Sequence, residues 1–344
     1  MSADDTRTLA LWDLADLVTP MTVRLAATHR FGDHIAAGRD TAAAIAAAEH
    51  LDASSVERLL RHLVTVGVLG ADGERYVLTG LGEGLRSDHP SMQRHLIDTN
   101  GAIGRGDLGI VELGHTLRTG EPSYPVRYGL GYWDDLASDR ELAESFDAVV
   151  ADNVSRDAKD IAHAYDWSAL GHVYDLGGGN GALLAGLLTA HPTLRGTVVD
   201  LPGTTDRARS HFAREGLADR ACALDGSFFD PLPVADGGGY VLSSVLHNWG
   251  DAEAVGILRR CAEALAGCPD GPGRVLVIEE TCAHVHTGMD IRMLAYFGGV
   301  ERSVAGITDL ARRAGLTVAG VYETSGQATP VRSVIELVLD GQMR

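Results

Sequence analysis

Four short stretches hold side chains whose types and spacing could do chemistry. "DLGGGNG" at 175–181 sets four glycines behind a carboxylate, straight after the apolar run "HVYDL". "SSVLHNWGD" at 243–251 places His247 just past a second apolar run. Glu279 stands near the end of "RVLVIEE" at 274–280, and Glu301 stands in "FGGVERS" at 297–303. A neutral imidazole can take a proton from a phenol. A carboxylate on its other nitrogen fixes the tautomer and stabilises the imidazolium that forms. One histidine after a strand more often serves packing than chemistry. Two carboxylates, Glu279 ending the next strand and Glu301 standing before the next helix, turn the reading towards acid–base work.

The glycine loop supports two readings. Gly177, Gly179 and Ala182 satisfy the dinucleotide fingerprint G-x-G-x-x-G/A, a weak signal by itself. The competing pattern puts an acid before the glycines: Asp175, Gly177, Gly179, Gly181. A pyrophosphate gains nothing from a carboxylate, whereas a cationic ligand does. S-adenosyl-L-methionine (SAM) carries a sulfonium and an amino group that such a carboxylate can receive. Asp200, at the end of the next apolar run "GTVVDL", suits the ribose hydroxyls of SAM and of NAD alike, so an NAD-dependent dehydrogenase stays open here. The bland alternative, a tight turn whose glycines only avoid clashes, does not explain acids at both strand ends.

These residues need elements to position them. From about 167 the chain alternates: strand 172–176, helix 181–192, strand 196–201, helix 203–216, strand 240–246, helix 251–266, strand 274–280. That rhythm implies a parallel sheet with helices on both faces. After a helix at 303–314, strands 316–324 and 331–340 are joined by a short turn and should pair antiparallel. The first hundred residues read mostly as helices, at 21–38, 41–50 and 52–69, the last capped by Asp52. A hairpin at 70–82 follows, which completes a winged-helix-like order. Arg58, Arg61 and His62 would face DNA if this were a transcriptional regulator, but Glu57 sits among them. The segment 118–136, rich in Gly, Pro and aromatics, would suit a loop-rich pocket wall or a packed linker. The expected division is 1–100, a helical linker and pocket wall at 101–165, and 166–344.

The net charge of −18 over 344 residues argues against nucleic-acid partners and anionic membrane surfaces, which both call for clustered Lys and Arg. A hydrophobic share of 45% supports a sizeable core. Cys222, Cys261, Cys268 and Cys282 form no CxxC pair, so a reducing cytoplasm is the natural compartment. The acidic start "MSADDTRTLALWDLADL" is no secretory signal, and no apolar stretch is long enough to span a membrane. Cys282, His284 and His286 alternate in "CAHVH"; without a further ligand elsewhere a loop is expected there, and no metal. No G-x-S-x-G segment supports a hydrolase.

From about residue 20 onward the chain resembles the small-molecule SAM-dependent O-methyltransferases with an N-terminal helical dimerisation domain. "LHNWGD" resembles their L-H-D/N-W-x-D segment and "GGVERS" their G-G-x-E-R-S/T segment. "TPMTVRLAATHRFGDHIAAG", "AYDWSALGHVYDLGGGNG" and "DIRMLAYFGG" look most like the aromatic polyketide (anthracycline, carminomycin 4-O-methyltransferase-like) branch. The resemblance implies a Rossmann-like α/β class I methyltransferase domain with a seven-stranded sheet, a winged-helix-like N-terminal domain and a homodimer. It implies His247 as general base oriented by Glu279 and Glu301. It implies cofactor contacts at Asp175, Gly177, Gly179, Gly181, Asp200, Leu201, Ser227, Phe228 and Ser243, with S-adenosyl-L-homocysteine as product. Asn248, Arg292 and Met293 are the candidates for touching an aromatic substrate.

Two departures matter. Relatives usually read G-D-F-F where this chain reads "GSFF" at 226–229, so Ser227 meets the cofactor with a hydroxyl in place of a charge. The similar polyketide branch often lacks a histidine at the 247 position, and some members keep SAM but hydroxylate or decarboxylate. The presence of His247 favours base-assisted methylation over that alternative.

Overall fold

The computed structural model describes residues 11–235, 237–268, 273–281, 287–324 and 332–341. Two compact units emerge: the chain up to Leu108 with Asp139–Val149, and Gly109–Ser138 with the chain from Val150. The segment 101–165 is thus shared between them rather than forming a body of its own.

In the first unit, helices Ala42–Glu49 and Ala53–Thr65 precede a two-stranded antiparallel hairpin of β1 (Leu69–Asp72) and β2 (Arg75–Leu78). Asp52 caps the second helix by accepting a hydrogen bond from the Ser55 amide at 2.8 Å. Val56, Leu60 and Leu63, spaced at helical period, pack with Phe31, Ile45 and Tyr76. The helix expected over 21–38 is two helices, Val18–Thr28 and Phe31–Ala36. Arg30 breaks them apart with φ of 51°, which no α-helix accommodates.

The second unit holds a seven-stranded sheet in the order β5-β4-β3-β6-β7-β9-β8. Its strands are β3 (His172–Leu176), β4 (Arg195–Asp200), β5 (Ala221–Asp225), β6 (Gly239–Ser243), β7 (Arg274–Glu280), β8 (Leu316–Glu323) and β9 (Arg332–Leu339). The first five run parallel, and β9 joins β7 and β8 antiparallel. Successive residues of a strand face opposite sides. Tyr240 and Leu242 of β6, with Val275 and Val277 of β7, pack on helices Asp251–Ala266 and Val304–Arg313. Val241, Leu276 and Ile278 pack on helices Ala182–Ala190 and Thr204–Arg214. Burial on both faces is why these strands read as unbroken apolar runs.

Two elements differ from expectation. β5, "ACALD", is an edge strand with only Ala221 buried, so it carries neither an apolar run nor clean alternation. β6 stops at Ser243 instead of running to 246, because Ser244 takes φ of 53° and turns the chain. β3 is where the strand order reverses, with β4 and β5 on one side and β6 onward on the other. In such sheets the crevice at the carboxyl ends of the strands flanking that point receives ligands.

Candidate active site

Asp175, the penultimate residue of β3, is 2% exposed, and neither of its carboxylate oxygens has a hydrogen-bond partner among the described residues. Burial, and secondarily the nearby Asp200, push its pKa up to about 7. A partnerless buried carboxyl costs free energy unless something polar or cationic meets it. Gly177, Gly179 and Gly181 all take left-handed φ of 59–78°, which folds the loop back tightly. The need is sharpest at Gly181, where a Cβ would lie 2.4 Å from Phe212 Cζ. Asp200 is held as a ligand-ready carboxylate: it accepts from the Gly179 amide at 2.9 Å and the Leu201 amide at 2.7 Å. Phe228 lies beside Gly177, whose added Cβ would be 3.1 Å from the ring. Ser227 Oγ accepts from the Phe229 amide at 3.2 Å, so the hydroxyl also shapes its own turn. Leu201 is 51% exposed, and Ser243 is half-buried at the end of β6. A loop of amides and glycines flanked by two acids, one of them partnerless, suits a nucleoside with a cationic tail.

Past β6 the chain forms a single turn of 3₁₀-helix, Leu246–Asn248. It carries His247 to two buried acids. His247 Nδ1 is 2.8 Å from Glu301 Oε1 and 3.5 Å from Glu279 Oε2. Since a carboxylate only accepts, the proton sits on Nδ1 and Nε2 offers its lone pair. Glu279 Oε1 also receives the His247 amide at 3.3 Å. Glu279 and Glu301 are 3% and 8% exposed. Burial alone would lower the imidazole pKa, but the charge of Glu279 and the hydrogen bond to Glu301 outweigh it, and the net shift is upward. Burial raises the Glu279 pKa, partly offset by His247. A base whose far nitrogen is clamped by acids is equipped to receive a proton.

The segment after Phe297 holds this turn closed. The Val300 amide donates to the His247 carbonyl at 2.9 Å. Gly299 passes so near that an added Cβ would sit 2.1 Å from the same carbonyl oxygen. Arg302, 8% exposed, donates to the carbonyls of Leu246, Trp249 and Val300 and pairs with Asp251 at 2.8 Å. Asp290 Oδ1 accepts from the Glu301 amide at 2.9 Å, tying helix Thr287–Phe297 to the same segment. That helix carries Arg292, half-buried, and Met293, 6% exposed. Asn248 spends one amide hydrogen on the Ser244 carbonyl at 3.1 Å. Trp249 packs edge-on against Phe228 and Phe229.

The segment 118–136 is not loop-rich: it forms helices Leu113–Thr119, Tyr124–Tyr128 and Tyr132–Ser138. Its Ser123 amide donates to the Ala295 carbonyl at 3.0 Å. Tyr132 stacks on Tyr296 with centroids 5.4 Å apart, and Trp133 stacks on Phe297 at 5.0 Å. An aromatic wall thus lines the helix of Arg292 and Met293. The sequence offers 118–136 as a pocket wall, but it gives Asp290 no role and names Gly299 and Arg302 only as letters of the GGVERS segment. Only the adjacency of Gly299 and Arg302 to Glu301 could have drawn attention to them. Cys282, His284 and His286 lie outside the described residues; among the described residues no cluster of metal-ligating side chains occurs.

The family model for the O-methyltransferase domain matches residues 111–317. A 2,7-dihydroxy-5-methyl-1-naphthoate 7-O-methyltransferase of Streptomyces carzinostaticus is 55% identical over 92% of this chain and 95% of its own length. Aclacinomycin 10-hydroxylase of Streptomyces purpurascens is 44% identical over 93% of this chain and 86% of its own. Among solved structures, an O-methyltransferase (NcsB1) from neocarzinostatin biosynthesis, in complex with SAM and 2-hydroxy-5-methyl naphthoic acid, superposes with a TM-score of 0.91. It shares 53% identity and covers 97% of this chain and 99% of that one.

Proposed function

Because this chain belongs to the O-methyltransferase family, we propose that it methylates a phenolic hydroxyl of an aromatic polyketide or similar natural product, with SAM as donor. The observation that carries the reading is His247 Nδ1 clamped at 2.8 Å by Glu301, with Glu279 alongside. Bound SAM supplies an electrophilic methyl group, leaving S-adenosyl-L-homocysteine. Asp175 would meet its amino group, Asp200 its ribose, and Gly177, Gly179, Gly181, Leu201, Ser227, Phe228 and Ser243 the rest of its surface. The partnerless Asp175 oxygens and the tight glycine turn fit that ligand.

The chain's own residues do the remaining work. His247 Nε2 removes the phenolic proton, and the imidazolium is stabilised by Glu301 and Glu279. The aromatic wall with Asn248, Arg292 and Met293 holds the acceptor so that its oxygen lies in line with the methyl carbon. Such alignment supplies much of the rate in displacements of this kind. The 55% identical relative is named for a dihydroxynaphthoate, so hydroxylated naphthoic acids are the first acceptors to try.

A second reading has its own support, the 44% identity to a 10-hydroxylase. In it, SAM is held without being consumed. Incubation with SAM and a panel of hydroxynaphthoates and anthracyclines, followed by mass spectrometry, separates the two. A product heavier by one methylene together with S-adenosylhomocysteine supports methyl transfer. A changed substrate without S-adenosylhomocysteine supports the second reading.

A homodimer built through the N-terminal unit completes the reading, with residues 1–100 as dimerisation domain and 166–344 as SAM-binding domain. Leu11, Trp12 and Leu14 of one short helix, with Leu17 and Val18 at the start of the next, are 60–83% exposed, a run of apolar surface that calls for a partner. Light scattering of the purified protein tests this. We place the enzyme in the cytoplasm: Cys222, Cys261 and Cys268 are free thiols, and no described helix is long and apolar enough to cross a membrane.

A further inference from the structure

Two acids around one imidazole create a difficulty. They stabilise the imidazolium, but a base already protonated at rest cannot accept a proton. Burial works against the two acids, and the structure adds a cation on the same side. Arg332 opens β9, opposite Glu280 of β7 in the antiparallel register. Its Nη1 donates to Ser244 Oγ at 2.7 Å, and its Nε lies 2.8 Å from Asp157 Oδ2. Ser244 follows β6, on the far side of β7 from β9. To reach it, the guanidinium must cross the carboxyl end of β7, where Glu279 is buried. A span of two strand spacings, about 10 Å, is what an extended arginine can bridge. Ser244 is also the residue with φ of 53° that turns the chain towards His247. Its amide donates to the Ile278 carbonyl at 3.0 Å and its carbonyl accepts from Asn248. The corner is pinned on three sides, and Arg332 supplies the side-chain pin.

We propose that Arg332 is a positioning residue of the methyl-transfer reaction: paired with Asp157, it fixes Ser244 and the turn that carries His247, and it lays a permanent positive charge beside the His247–Glu279–Glu301 cluster that tempers the pull of the two acids. The inference rests on the reading of His247 as base. The charged groups facing His247 and its turn are Glu279 from β7, Glu301 and Asp290 around the closing segment, Arg302 already balanced by Asp251, and Arg332 from β9. Of the two arginines, Arg332 is the one whose field acts to lower both the His247 and the Glu279 pKa.

The test combines an NMR titration of the His247 ring with the pH profile of kcat/KM, on wild type, Arg332→Met, Arg332→Lys and Asp157→Asn. SAM binding by calorimetry controls for folding. In Arg332→Met the ring should titrate at higher pH, and the acidic limb of the rate should move with it. A shift of half a unit or more changes the rate ratio between mildly acid and alkaline pH by about threefold. Arg332→Lys should keep the limb in place while lowering kcat, since charge remains and the two-armed clamp is lost. Asp157→Asn should move the limb the other way, because it removes a negative charge and leaves the cation less compensated. A uniform loss of rate in Arg332→Met with an unmoved limb and titration would overturn the proposal, for that is what a merely structural arginine predicts. Should Arg332→Met fail to fold, Asp157→Asn decides: a downward shift upholds the proposal, and no shift or an upward one sinks it. If the wild type methylates no acceptor, the ring titration still reads Arg332, and only the functional reading fails.

Discussion

Along one edge of the sheet two pairs of acids stand in contrasting surroundings. Asp175 and Asp200 stand at the carboxyl ends of β3 and β4, and Glu279 and Glu301 flank His247 past β6. The second pair has a proton acceptor built in, an imidazole whose Nδ1 is hydrogen-bonded to Glu301 at 2.8 Å and lies 3.5 Å from Glu279 Oε2, an oxygen with no hydrogen bond of its own among the described residues. The first pair is uneven. Asp200 is satisfied by two loop amides, while Asp175 is buried with both oxygens partnerless. A buried acid with an internal partner belongs to a finished device. A buried acid without one carries a cost that a ligand's positive charge would relieve. The same residue types thus divide, by what lies opposite them, into a cluster that the proposed function uses for proton transfer and a pair that it uses for binding.

Removing His247 breaks the finished side of the comparison. His247→Ala should keep SAM binding and lose turnover by about 10²–10⁴-fold, the usual worth of a general base. Equal turnover in mutant and wild type would leave alignment as the only source of rate. Next in size is Gly299→Ala. Its Cβ would press 2.1 Å from the His247 carbonyl, so the closing segment must retreat and carry Glu301 off Nδ1. We expect a loss of about 1–3 kcal/mol in stability, and a fall in kcat with SAM affinity little changed. A loss of SAM affinity with kcat intact would mean that the segment serves the cofactor instead.

The open side of the comparison is sharpened by Asp175→Asn. A carboxyl whose folded pKa is about 7, against 3.8 ordinarily, holds its proton more tightly when folded. Its contribution to the stability of the ligand-free protein therefore falls as pH rises from about 4 to 7 and is flat above. Thermal melts of Asp175→Asn should lack that slope and gain on wild type at alkaline pH. An ammonium group meeting Asp175 would favour the carboxylate, so SAM binding near pH 6 should release close to one proton from wild type and none from Asp175→Asn. Calorimetry in buffers of differing ionisation enthalpy reads this directly, and equal release from both proteins would remove Asp175 from the binding site. The smallest effect belongs to Ser227→Asp. A carboxylate there can still accept the Phe229 amide and adds charge, so SAM affinity should rise by a few-fold, roughly one charge-assisted hydrogen bond's gain over a neutral one.

How much was legible beforehand varied with how local the cause was. β3, helix Asp251–Ala266 and β7 fall where the largely apolar runs and the helical spacing place them, because strands buried on both faces need mostly apolar side chains. β5 was illegible, since an edge strand needs only one neighbour and little apolar surface. The break at Arg30 and the early end of β6 at Ser244 each depend on one residue forced to positive φ by its surroundings, which neither residue type announces. The segment 118–136 looked like loop because of its glycines and prolines. In the structure Gly120 and Gly129 cap two short helices, a proline opens one of them, and the segment's aromatics find partners on helix Thr287–Phe297.

By itself the sequence determined the alternating sheet, the acid-led glycine turn, a histidine and a glutamate at strand ends, and a second glutamate just before a helix. These are matters of residue type and short spacing, which backbone geometry turns into structure without reference to distant partners. The tertiary structure alone decided that Glu301, 54 residues on, is the closer clamp of His247. It decided that Asp175 is left partnerless, and that an arginine from β9 crosses β7 to reach the corner before His247. Those outcomes depend on strand order, and strand order is fixed by packing of the whole sheet rather than by any stretch of it.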